Sequence, residues 1–312
     1  MSIEPVKPGF TLAGDESLAS GLRRVALEQL DYAMAVLTVS PLDVGVHESR
    51  KSLRRVRALL RLVRDPLGQP AYFAENRALR DAGSLIGASR DATVMVETVT
   101  AISLQYQDVL VDGVFDVLGG HLLERDRHIR QEVSGDRLDS VLVALQATRD
   151  RFSDWPMTTG EKPTLGEGYG TVEQGIRRVY RRGRRGMADA YREGTPEAFH
   201  EWRKRVRYLR YQMTLLKGMW PQVQSVIVKD LAALAEALGT ANDLAVLGGL
   251  LANEPDLLPD ENARSLLQGL LVQNRTRLES EAALLGARLY AERPRAFADR
   301  LGKYWDVWRR DL

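Results

Sequence analysis

Apolar residues recur at steps of three and four through most of the chain, the spacing that gathers them on one side of an α-helix. Leu18, Leu22, Val25, Ala33 and Val36 form the first such stripe, with Asp15 as the expected cap and Ser40-Pro41 as the break. Val46, Leu53, Val56 and Leu60 form the second, with Asp43 as the expected cap and Asp65-Pro66-Leu67-Gly68 as its end. Further helices are predicted over about 71–86, from the Gly87 to Asp91 region onward, over 109–133, and over 137–152 with Leu138, Val141, Leu142 and Leu145 inward. From 153 to 170 the periodicity gives way to Gly, Pro and Thr, which reads as a linker. Beyond it the helical pattern restarts, and Thr195-Pro196-Glu197 carries both a capping hydroxyl and a first-turn proline. Alternating β-branched runs are missing, so no sheet is expected.

The stripes repeat. Val46-His47-Glu48-Ser49-Arg50-Lys51 and Phe199-His200-Glu201-Trp202-Arg203-Lys204 share the pattern apolar-His-Glu-x-Arg-Lys, 153 residues apart, and both continue into apolar-Arg-x-apolar-Arg. Gly21-Leu22-Arg23-Arg24-Val25 matches Gly175-Ile176-Arg177-Arg178-Val179 at 154. Ile86-Gly87 with Asp91 matches Leu238-Gly239 with Asp243 at 152, and Leu122-Leu123 with Arg127 matches Leu270-Leu271 with Arg275 at 148. Four blocks in one order point to a duplicated chain. The expected organisation is a flexible arm (1–14), a first helical bundle (15–152), the linker (153–170) and a second bundle (171–312). The fold class is all-α, two bundles related by an approximate two-fold axis with a central basic groove or pore.

Composition changes this picture in two ways. The absence of cysteine excludes disulfides and thiolate metal sites, and no leader or membrane-length apolar stretch stands out, so a soluble cytoplasmic protein is expected. Net charge is only +2, yet residues 47–64 carry +6 and residues 177–210 carry +8, leaving −12 on the remainder. Two concentrated cationic segments on an otherwise acidic chain imply one focused anion site. On a helix, His47, Arg50, Lys51, Arg54, Arg57 and Arg61 fall along one side, and His200, Arg203, Lys204, Arg207 and Arg210 do the same in the second copy. Such rods suit a ligand that is itself a row of negative charges.

His-x-x-Arg-Lys near the start of a basic helix, a Gly-x-x-x-Asp turn about 40 residues on, and a second copy of both resemble the CHAD domain, the conserved histidine α-helical domain. The resemblance implies paired helical bundles around a basic groove or pore that binds inorganic polyphosphate without catalysis, with association to polyphosphate granules. Asn242 stands where the first copy has Arg90, and no Glu-x-Glu-x-Lys of an accompanying triphosphate-tunnel domain occurs. By position His47, Arg50, Lys51, Arg54 and Arg57, with His200, Arg203, Lys204, Arg207 and Arg210, carry over, and Arg61 joins them as a candidate. Arg23, Arg24, Arg177, Arg178 and Arg181, with Arg127 and Arg275, complete the candidate polyphosphate-binding set.

Polyphosphate offers oxygens and charge but no base edges, so Arg forks and Lys ammonium groups are its natural donors. His47 and His200 could hydrogen-bond phosphate, share a metal or simply pack; no third ligand repeats nearby, so no metal or cofactor is expected. Glu48 and Glu201 are expected to pair within their own helices, Asp91 and Asp243 to pair with a basic-helix arginine, His121 and His128 to lie on the surface, and the tryptophans to fill the core. Two alternatives remain: a phosphate-processing enzyme, although no Gly-x-x-x-x-Gly-Lys-Ser/Thr loop is found, and a nucleic-acid binder, although only Tyr208 and Tyr211 interleave with the basic positions.

Overall fold

A computed structural model describes residues 5–106, 113–133, 135–153, 158–159, 162–163 and 165–310. Among them run twelve α-helices: α1 (Leu18–Val39), α2 (Leu42–Leu62), α3 (Arg64–Leu67), α4 (Gln69–Leu85), α5 (Gly87–Tyr106), α6 (Val114–Val133), α7 (Asp136–Ser153), α8 (Gly170–Glu193), α9 (Pro196–Leu215), α10 (Pro221–Asn253), α11 (Glu261–Leu289) and α12 (Pro294–Arg310). The fold is all-α. A two-residue pairing of Thr158–Thr159 with Lys162–Pro163, within the expected linker, is the only strand pair among the described residues. Positions 109–112 of the expected 109–133 helix lie outside them.

The helix starts correct two expectations. The cap of α1 is Ser17, whose hydroxyl accepts from the Ser20 amide at 3.1 Å, because Asp15 falls short of the first turn. Pro41 occupies the cap of α2 and fixes its entry, so Asp43 sits inside the first turn, 3.9 Å from Arg130. Thr195 does cap α9, accepting from Ala198. Between α2 and α4 the chain makes the short α3 and turns at Gly68, whose φ of 85° excludes most side chains.

The apolar stripes do not close into two separate cores. One cluster takes Leu22 and Leu30 from α1, Leu53 and Leu59 from α2, Phe152 from α7, Ile176 and Tyr180 from α8, Trp202 and Val206 from α9, and Leu231 and Leu238 from α10. A second joins Met95 and Val99 of α5 and Leu118 of α6 to Leu244 and Leu251 of α10 and Leu267 of α11. α10 therefore faces two cores in succession, which explains its apolarity. By length and a mean hydropathy of 1.2 it could cross a membrane, which corrects the expectation that no stretch approaches that size.

The halves approach closely where α8 meets the end of α2: a Cβ on Gly175 would collide with the Leu62 carbonyl. Within the segment expected to be a flexible arm, residues 7–12 are docked. Phe10 and Leu12 are buried, the Leu12 amide donates to the Leu215 carbonyl at 2.9 Å, and Lys7 meets Glu48 at 2.7 Å. Trp202 and Trp305 fill the core, whereas Trp220 is 45% exposed against the edge of Tyr304.

Candidate anion-binding site

α2 and α9 cross near the middle of the molecule. At the crossing Gln212 donates its side-chain amide to the Ala58 carbonyl at 3.3 Å, and the Arg61 guanidinium lies 4.0 Å from the Tyr208 ring centroid. The apolar residues of each helix face the core, so their basic sides are left facing one another.

The first arginine of each motif is an anchor. Arg50 Nη1 sits 2.5 Å from where a Cβ on Gly87 would lie, donates to the Gly83 carbonyl at 3.0 Å, and Nη2 is 3.5 Å from Asp91. Arg203 repeats the arrangement: Nη2 is 2.9 Å from a Cβ on Gly239, and Nη1 is 3.7 Å from Asp243. The glycine makes room for the guanidinium and the aspartate one turn on balances it, which fulfils the expectation for Asp91 and Asp243. Burial pushes the Asp243 carboxyl up despite Arg203 beside it.

Next along each helix the cations lose their partners. A cavity of about 1040 Å³ is lined by His47, Arg50, Arg54 and Arg90 from the first half and by His200, Arg203 and Arg207 from the second. A second cavity of about 310 Å³ adjoins it, lined by Arg57, Arg61, Lys204, Arg205 and Tyr208. Arg54 and Arg207 border both. Among the described residues, no carboxylate lies within ion-pair distance of Arg54, Arg57, Arg61 or Arg207. Burial, then Arg54, then Arg203 push the Arg207 guanidinium down to about 10. Like charges held together in a partly dehydrated cleft raise the local free energy, and an anion placed between them relieves it.

The acids nearby are engaged. Glu48 meets Lys51 at 3.3 Å and Lys7, and Glu201 pairs with Lys204 and, at 3.3 Å, with Arg205. Glu197 also borders the larger cavity. Arg90, not in the sequence-derived set, enters the cavity wall while gripping Glu97 at 2.8 and 2.9 Å.

His47 and His200 occupy corresponding places on the cavity wall. His200 Nδ1 is 2.6 Å from Asn242 Oδ1, while the Asn242 amide nitrogen donates to Asp243 at 3.2 Å. That chain makes Nδ1 the proton donor and leaves Nε2 to accept a second proton. His47 approaches only Glu48, at 3.8 Å. Burial first, then neighbouring cations, lower both imidazoles below their ordinary value: chiefly Arg90 for His47, and Lys204 and Arg203 for His200, against the raising effect of Asn242. No cluster of three or more candidate metal ligands occurs among the described residues.

Several expected site residues lie elsewhere. Arg24 is held by Glu16 at 2.6 Å and Glu28 at 3.1 Å, and Arg178 by Asp65. Arg127 is exposed on α6, and Arg275 pairs with Glu279 at 3.4 Å on α11. Arg181 points to solvent; Arg23 and Arg177 are half-buried and border neither cavity. Arg210 lies 5.9 Å from the Tyr211 ring and Lys51 turns to Glu48, both beside the cavities. The outer arginines do not line these cavities because a helix presents one face to its partner and the rest to solvent or acids. The sequence reading also missed Arg205 and Tyr208, which sit off the cationic stripe but line the second cavity.

These features define an all-α protein in which two basic helices line one cleft. The CHAD domain family model matches residues 24–252, and the chain belongs to that family. Its fold is similar to the crystal structure of the CHAD domain from the plant Ricinus communis, with a TM-score of 0.67 at 20% identity, covering 92% of this chain and 96% of that one. It is also similar to PptA from Streptomyces chartreusis, with a TM-score of 0.61 at 13% identity, covering 89% and 100%. No curated protein matches the chain.

Proposed function

We propose that this protein binds inorganic polyphosphate in the cleft between α2 and α9, as a receptor and not as a catalyst. What carries the reading is Arg54 opposite Arg207, uncompensated by any acid and shared by two adjoining cavities. A linear polyanion can occupy both cavities at once; a single phosphate can fill only one. His47, Arg57, Arg61 and His200 supply further donors along the path, while Arg50 and Arg203 hold the two rods in place. A cytoplasmic role at polyphosphate granules, away from membranes, follows from that ligand.

The test is calorimetric titration with long-chain polyphosphate at two salt concentrations. Five or six phosphate contacts should give a log–log salt slope of about −4, by analogy with single-stranded nucleic acids. Arg54→Ala with Arg207→Ala should weaken binding about a hundredfold, at roughly 1.4 kcal/mol for each arginine. Absence of binding, or equal competition by duplex DNA, overturns the reading. Release of phosphate in the presence of Mg²⁺ would make the protein an enzyme instead.

A further inference from the structure

The two basic rods correspond residue by residue at an offset of 153, so the cleft has two matched flanks. They are finished differently. On one flank lie Arg57, Arg61, Lys204, Arg205 and Tyr208, open as the smaller cavity. The corresponding positions on the other are Arg210, Thr214, Lys51, Ser52 and Arg55.

This second flank is occupied by the chain's own start. Phe10 lies under Arg55 at 5.6 Å, and edge-on at 6.2 Å to Tyr211, which also lines the smaller cavity. Gly9 accepts from Gln29, which also accepts from Arg55, and Lys7 takes Glu48. Residues 7–12 thus lie along α2 and α9 where a ligand would have to pass.

Charge differs in the same sense. Beyond the open flank stand Arg64, stacked on Tyr72 at 4.9 Å, and Arg182 of α8. The Arg182 guanidinium is pushed down by burial and then by Arg205, Arg64 and Arg178, which places these cations together. Among the described residues Arg182 has no carboxylate within ion-pair distance. Its counterpart 154 positions earlier is Glu28, an acid that grips Arg24. Arg61, Arg64, Arg182 and Arg205 therefore stand where the closed flank has Thr214, Lys217, Glu28 and Ser52.

We propose that the cleft has a single exit: a polyphosphate longer than the central cavity continues over Arg205, Arg64 and Arg182, while the N-terminal segment seals the matching exit. The proposal rests on the polyphosphate reading and adds to it a direction. Long chains gain affinity over short ones only through the open flank, and a granule would be engaged from that face.

The experiment compares tripolyphosphate with long-chain polyphosphate on the full chain, by calorimetry. Arg64→Ala with Arg182→Ala should lower long-chain affinity about tenfold and leave tripolyphosphate binding unchanged, which also shows that the variant is folded. Lys7→Ala with Lys217→Ala, an equal charge change at the sealed side, should alter neither. Equal long-chain losses from the two pairs, or none from the first, overturn the single exit. Failure of the unaltered protein to bind either polymer would instead remove the underlying reading.

Discussion

The junction that holds Arg50 and the junction that holds Arg203 use the same three residue types, yet they are built to different tolerances. In the first half the supporting helix is split between α4 and α5 at Ile86, and Asp91 is 75% exposed. In the second half the support is the unbroken α10, Asp243 is 25% exposed, and Asn242 links it to His200. The second half is therefore the fixed frame of the cleft, while the first keeps its ion pair in water, where such pairs contribute little.

The largest expected difference between the halves lies at the matched glycines of α8 and α1. Gly175→Ala drives a methyl into backbone and should cost about 3 kcal/mol, whereas Gly21→Ala meets the movable side chains of Glu16 and Leu12 and should cost about 1 kcal/mol. Chemical denaturation measures both; equal losses would mean that the α2–α8 contact yields as easily as a side chain. Next comes the anchoring arginine. Arg203→Ala leaves Asp243 half-buried without its cation and should cost about 2 kcal/mol, and Arg50→Ala should cost less because Asp91 is already hydrated.

The smallest effect is on pH. Both imidazoles titrate below the ordinary value of about 6.5, so the unfolded chain binds protons more readily and the free protein loses stability as pH falls through 6.5. Bound polyanion reverses the preference, since it favours imidazolium. Affinity should rise about threefold from pH 8 to 6, and the melting shift caused by polyphosphate should widen over the same range. A flat profile in both measurements would leave the histidines as packing residues.

How much of this was readable beforehand varies with the physics involved. Helix identity and the cationic stripes were legible because periodicity is local: His47, Arg50, Arg54, Arg57, Arg61, His200, Arg203, Lys204 and Arg207 line the cleft, while Lys51 and Arg210 stand beside it. The caps were less so, since Ser17 and Asp15 are equally good donors of an oxygen and only the first turn's position chooses between them. The fate of Arg24 and Arg178 was hidden, because their partners Glu16, Glu28 and Asp65 are set by tertiary packing. The packing of α9 on α2 brought Arg205 and Tyr208 to the second cavity, and no spacing within one helix announces how it meets another. The docking of residues 7–12 was equally invisible: a segment without periodicity reads as loose until the groove that receives Phe10 is known.

α10 carries one more implication. Its first half belongs to one apolar cluster and its second half to the other, with Asn242 and Asp243 at the hand-over. A rigid rod embedded in both clusters ties their melting together, so scanning calorimetry should record a single endotherm whose van't Hoff and calorimetric enthalpies agree. Thermodynamically the chain then behaves as one body, and the cleft between α2 and α9 opens only when everything else does.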